Sequence, residues 1–152
     1  MIIRQALASD ADHLTSLARA AKRYWNYPEH WLAAWESSLT ITPEFIVHHP
    51  IFVAGEDHQI LGFYALTQDG SDWFLEHCWV RPESIGTGIG RQLFEHAIET
   101  ARAAGITSLL IDADPFAAPF YERMGARHIS IIPAPVPEQP DRTLPRLRFQ
   151  VG

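Results

Sequence analysis

No stretch of the 152 residues stays apolar for the roughly 20 positions that a membrane-spanning helix needs. The N-terminal MIIRQALASD has neither the basic start nor the apolar run of a secretory leader. Cysteine occurs once, at Cys78, which excludes an internal disulfide and makes a cytoplasmic protein the expectation. Positive charge is also short: 12 Lys and Arg face 18 Asp and Glu, a formal charge of −6. Nucleic acid is therefore not expected as the partner, because phosphate neutralisation needs a basic surface. The eight histidines show no metal-ligand spacing, and the adjacent pair His48-His49 cannot face one way, so no metal is expected. No Gly-Lys precedes Ser or Thr in a glycine loop, which excludes a Walker-type phosphate loop. Three glycines at 86, 88 and 90 depart from the G-x-G-x-x-G spacing of dinucleotide folds.

The length predicts one domain spanning residues 1–152. Ile2-Ile3 begin a first strand, and Ser9 or Asp10 caps a helix with Leu14, Leu17, Ala18 and Ala21 at helical spacing. Tyr24, Trp25, Tyr27, Trp31 and Trp35 follow, with Pro28 opening a short helix; Thr42-Pro43-Glu44 opens another. Strands 51–54 and 60–67 flank the polar turn GEDHQ, a hairpin signal, and a further turn leads into strand 73–80. Beyond the glycines, Ile89, Leu93, Phe94, Ala97, Ile98 and Ala101 form one apolar stripe, closed by Gly105. Strand 107–113 has no alternation, as expected where both faces are covered. A helix then starts near Ala117 or Ala118 with Pro119 in its first turn, stops at Gly125, and leads to strand 127–132. The proline-rich run IIPAPVPEQPDRTLP reads as an exposed loop before a last strand, 147–151. This order predicts an α/β (α+β) sandwich: a mixed sheet with helices packed on it.

A strand running into a glycine-rich helix start gathers backbone N–H groups and the positive end of a helix dipole, which suits a phosphate. Three motifs accompany that loop here. They are Val80-Arg81-Pro82-Glu83, Gly86-Thr87-Gly88-Ile89-Gly90 ahead of a helix, and DADPFAAPFYERMGA from Asp112 to Ala126. Together they resemble the GNAT (GCN5-related) superfamily of acyl-CoA-dependent N-acetyltransferases, and the resemblance covers nearly the whole chain.

The resemblance implies a mostly antiparallel sheet of about seven strands with helices on both faces, splayed between the fourth and fifth strands. It implies acetyl-CoA as co-substrate, with the pyrophosphate held by backbone amides of Gly86, Thr87, Gly88, Ile89, Gly90 and Arg91. The pantetheine arm would lie along Cys78, Trp79 and Val80. It makes Tyr121 the general acid for the departing thiolate, and a phenol with an ordinary pKa near 10 is protonated at neutral pH. Asp114, where the family often has Asn, either contacts CoA or caps the turn before the helix. Ile85 stands where the family has Arg or Gln, so weaker CoA affinity is expected.

The base is open between Glu76, His77 and water, with Glu76 preferred. Strand alternation puts Glu76 with Cys78 and Val80, and His77 with Leu75 and Trp79. Cys78 has no neighbouring activator in sequence and reads as a small buried hydrophobe. Trp25 and Tyr27, at a helix break, are the candidate acceptor contacts, whereas Trp31 and Trp35 read as packing residues. Cation–π attraction and the acidic balance suit a primary amine on a small molecule, or an aminoacyl or peptide acceptor. A homodimer accords with the family without proof in the sequence. A non-catalytic acyl-CoA-binding module is the alternative reading.

Overall fold

The computed structural model describes all of residues 1–152. The chain runs β1 (Ile2–Gln5), α1 (Ala11–Arg23), α2 (Glu29–Ala34), α3 (Pro43–His48), β2 (Ile51–Glu56), β3 (Gln59–Asp69) and β4 (Asp72–Val80). It continues through α4 (Ile89–Ala103), β5 (Ser108–Asp112), α5 (Ala118–Arg123), β6 (Arg127–Pro133) and β7 (Thr143–Gln150). Seven strands make one sheet in the order β1-β2-β3-β4-β5-β7-β6. Every neighbouring pair is antiparallel except β4 and β5, which are parallel and pair at Phe74 with Leu110. From that point β4 runs on six residues to Val80 without β5, and this is the splay the resemblance implied.

Alternation along β3 divides the core. Phe63 and Ala65 face α1 and α3 in a cluster of 12 buried residues; Tyr64 and Leu66 face α4 and α5 in a cluster of 19. Each large side chain so buried is worth roughly 1.5–3 kcal/mol. All six residues of the α4 stripe are buried. The helix approaches β3 closely because Gly62 has no side chain: a Cβ there would lie 2.8 Å from both Leu93 Cδ1 and the Trp79 carbonyl. No helix is long and apolar enough to cross a membrane.

Three local expectations need correcting. The β2–β3 turn is two residues, Asp57-His58, with φ of 51° and 65°, so the strands reach further than the five-residue polar run implied. Such left-handed pairs follow the twist of a hairpin. Strand β7 starts at Thr143 and passes through Pro145, whose carbonyl accepts the Ala113 N–H. A proline near the start of a strand leaves little of the ladder without a donor, which the loop reading overlooked. Asp10 precedes α1 but caps nothing in it; its carboxylate takes the Leu7 N–H at 2.8 Å and Arg4 at 2.9 Å. Thr42 does cap α3, accepting the Phe45 N–H, and α5 begins at Ala118 with Pro119 in its first turn.

Candidate active site

The glycine loop is tied down on its strand side and open at its tip. Arg81 N–H bonds the Leu61 carbonyl, Pro82–Ser84 form one 3-10 turn, and the Thr87 N–H and hydroxyl both donate to the Ser84 carbonyl. Gly86 and Gly88 then take φ of 84° and 90°, left-handed values that few side chains tolerate. The first hydrogen bond of α4 runs from Gln92 N–H to the Gly88 carbonyl, and no side chain caps the helix. The N–H groups of Gly88, Ile89, Gly90 and Arg91 are thus left without acceptors in the chain. A Cβ at Gly86 or Gly88 would meet no atom within 4 Å, so packing does not demand glycine there. A row of free donors at the positive end of a 15-residue helix fits a pyrophosphate. Ile89 points its side chain into the core and has only its backbone to offer, and Arg91 pairs with Glu95 at 3.0 Å. Ile85 is 42% exposed at the rim.

Tyr121 of α5 is buried against Phe94 and Phe120, in the same core cluster against which Cys78 of β4 packs. Burial, then Cys78, push the phenol well above its usual pKa, so it stays protonated. Burial likewise drives the Cys78 thiol up to about 12, against a weaker opposing influence of Tyr121. A thiol so held is no nucleophile at neutral pH.

The pairing of β3 with β4 shifts at Ala65/Leu66: Ala65 opposes His77, while Leu66 opposes Leu75. Glu76 is therefore the extra residue of a β-bulge, and the bulge resets the alternation. His77 shares its face with Trp79, as expected, but Leu75 lies on the other side with the α4 cluster. His77 is buried beside Phe45 and Phe63, and its Nδ1 accepts the Trp79 indole N–H at 2.9 Å. Desolvation lowers its pKa to about 4. Glu76 is solvent-exposed at the bulge, yet enough protein surrounds it that desolvation, then the charge of Asp112, raise its carboxyl.

The state of His77 has a measurable consequence. Its folded pKa of about 4 lies below the usual 6.5, so the unfolded chain takes up the proton first. The stability this residue permits is whole above pH 6.5 and is lost as pH falls towards 4. Between pH 7 and pH 5 the loss is about 2 kcal/mol. Urea unfolding of wild type and His77→Gln at both pH values should show that difference in wild type alone; equal slopes would mean that His77 ionises in the folded state.

Before α5, Asp114 is a hub. Its carboxylate accepts from Lys22 Nζ at 2.6 Å, from the Tyr27 hydroxyl at 2.8 Å and from the Phe116 N–H at 2.9 Å. The Phe116 bond is the turn cap foreseen for Asp114. Lys22, the only lysine of the chain, lies 4.2 Å from the Trp35 ring centroid and 5.1 Å from that of Tyr27. Trp25 stacks on Phe116 with centroids 5.0 Å apart and 6° between planes. Trp31 and Trp35 pack with Tyr27, and the Arg142 guanidinium lies over both indoles. Of the two rings read as acceptor contacts, Tyr27 thus lies beside Lys22 and Trp25 against Phe116, while Arg142 lies over Trp31 and Trp35, the two read as packing residues. Asp112, at the end of β5, is held by Arg146 at 2.7 Å and 3.0 Å.

Sequence reasoning missed Lys22, Arg142 and Arg146. Lys22 and Asp114 are 92 positions apart, and only the assembled sheet brings α1 to the strand end that carries Asp114. An isolated lysine beside a helical apolar stripe was the one available signal for Lys22.

The sequence model of the acetyltransferase (GNAT) family matches residues 12–126. A peptidyl-lysine N-acetyltransferase, YjaB, of Salmonella typhimurium is 31% identical over 86 residues, which cover 56% of this chain and 55% of that relative's length. A GCN5-related N-acetyltransferase from Rhodopseudomonas palustris superposes with a TM-score of 0.81 at 19% identity, covering 98% of this chain and 94% of the other. YncA, a putative acetyltransferase from Salmonella typhimurium solved with its cofactor acetyl-CoA, gives 0.73 at 20% identity, over 100% and 94% of the two chains. With a family match over most of its length and the fold to accompany it, the chain belongs to the GNAT family of acetyltransferases.

Proposed function

We propose that the protein transfers an acetyl group from acetyl-CoA to a primary amine by direct attack within a ternary complex, in the cytoplasm. The observation that carries this reading is the row of unpartnered N–H groups at the start of α4, beside the gap where β4 leaves β5. Pyrophosphate at the helix start leaves the pantetheine arm to follow Cys78, Trp79 and Val80 into the gap. There the thioester meets the Tyr121 phenol. The amine nitrogen attacks the thioester carbon and the C–S bond breaks. Sulfur takes the phenol proton, and the amine proton passes to the Glu76 carboxylate, directly or through water. A backbone N–H near Val80 faces the transient oxyanion. Holding both reactants in one cleft supplies much of the acceleration.

Glu76 is preferred over His77 as base because it is exposed and its carboxyl is raised, whereas the His77 nitrogen that accepts a proton already holds the Trp79 indole. Since the carboxylate is the active form, kcat/KM falls as pH drops through the raised pKa of Glu76. Glu76→Gln is expected to lower kcat about 100-fold and to abolish that acidic limb. A variant with an unchanged limb would assign the proton to water.

Free-thiol release from acetyl-CoA across a panel of amines tests the function. Lys22 is ion-paired and largely buried, so no exposed lysine of the enzyme competes as acceptor. Acetyl-CoA binding without release by any acceptor would favour the non-catalytic module, for which the exposed Ile85 in the phosphate loop is the one supporting feature.

A further inference from the structure

Arg142 lies on the chain between β6 and β7, half-buried, with its guanidinium carbon 5.3 Å from the Trp35 ring centroid and 5.9 Å from that of Trp31. The other half-buried Lys and Arg side chains each have a carboxylate within 4.0 Å. Lys22 has Asp114, Arg146 has Asp112, Arg81 has Glu83 and Arg19 has Glu36. Arg142 has none, and its hydrogen bond is to the Ala134 carbonyl at 3.3 Å. Asp114 pairs with Lys22 and Tyr27, Asp112 with Arg146, and Glu138, four residues before Arg142, with His30. Its neighbour Asp141 makes no ion pair with it.

A second observation agrees. The Trp31 indole nitrogen is sealed from solvent and has no hydrogen-bond acceptor. Donors therefore outnumber acceptors around these indoles. Lys22 and Arg142 share the Trp35 ring, and Asp114 is the one carboxylate paired with either of them. The Lys22 ammonium, 4.2 Å from the same Trp35 ring, reaches Asp114, and Asp114 in turn bonds the Tyr27 hydroxyl and the Phe116 N–H, so Arg142 belongs to one cluster with the residues that lead into α5.

We propose that Arg142 binds a carboxylate of the acceptor, so that the acceptor is a small molecule bearing both a primary amine and a carboxylate, as an amino acid does. This inference rests on the acetyltransferase reading above and narrows it. A guanidinium presents parallel N–H donors that match the two oxygens of a carboxylate. The amine is left free to approach the thioester, and the aromatic rings serve to orient the arginine rather than to hold the ammonium.

The test uses matched acceptors, each amino acid against its own carboxamide, with acetyl-CoA saturating and thiol release as readout. Wild type should show the higher kcat/KM for the acid. Arg142→Gln should reduce the acid-to-amide ratio of kcat/KM about 10- to 100-fold, chiefly through KM, and Arg142→Lys should restore part of it. A structural loss would depress both acceptors together and leave the ratio alone. Turnover on neutral amines with the ratio unmoved by Arg142→Gln overturns this inference while the acetyltransferase reading stands. No release with any amine, in a protein that binds acetyl-CoA, overturns both.

Discussion

Tyr121→Phe is expected to lower kcat about 100-fold or more while acetyl-CoA binds within about twofold of wild type. The substitution removes one oxygen from a ring that is otherwise part of the α4 core, packed against Phe94 and Phe120. Packing survives, so the loss falls on the proton that leaves with the phenol. Without a donor the thiolate must depart with its charge unneutralised, in a pocket whose burial already resists charge, as the upward shifts of both Tyr121 and Cys78 indicate. The check is kcat from thiol release beside the acetyl-CoA dissociation constant from calorimetry, with a melting curve as the control for folding. Matching losses of binding and turnover, or none of either, would make Tyr121 a structural residue.

The second large effect is on binding. Gly88→Val should weaken acetyl-CoA binding about 100-fold or more. Nothing in the protein would collide with the new side chain, since the position opens on empty space. The cost arises from two other sources. A β-branched residue at φ of 90° is strained, and relaxing it turns the N–H groups of the loop away from their common focus. The side chain also fills the space the phosphate would occupy. Gly105→Val supplies the comparison: it too has a left-handed φ, 77°, and open space, but lies at the far end of α4. Both variants should lose similar stability, and only Gly88→Val should lose acetyl-CoA. Equal affinity in the two would remove the loop from the binding site.

Much of this fold was legible because its signals are local. The α4 stripe, the proline in the first turn of α5 and the Thr42 cap each depend on residues a few positions apart, and each element formed where its own chemistry predicted. The glycine loop was legible for the same reason, since strand, glycines and helix start are contiguous. What escaped depends on pairing across the chain. The shift that makes Glu76 a bulge residue arises from the register of β4 against β3, and nothing in WFLEHCWV announces it. The alternation rule accordingly put Leu75 on the wrong face. The turn bond of Asp114 to Phe116 is local and could be read from its segment, but its ion pair with Lys22 could not, because no local rule joins α1 to the end of β5. Pro145 misled for the opposite reason: a local rule was applied to a position where tertiary structure tolerates the missing donor.

The bulge also bears on how this strand tolerates change. Deleting one residue from the middle of a strand ordinarily turns everything beyond it inside out. In β4 the pairs Ala65–His77 and Leu66–Leu75 already step past Glu76, so excising it would leave an unbroken ladder with every other side chain on its present face. Glu76 is thus the one position between Leu75 and Val80 that the architecture does not need. A residue released from packing and register is free to be kept for its carboxylate alone.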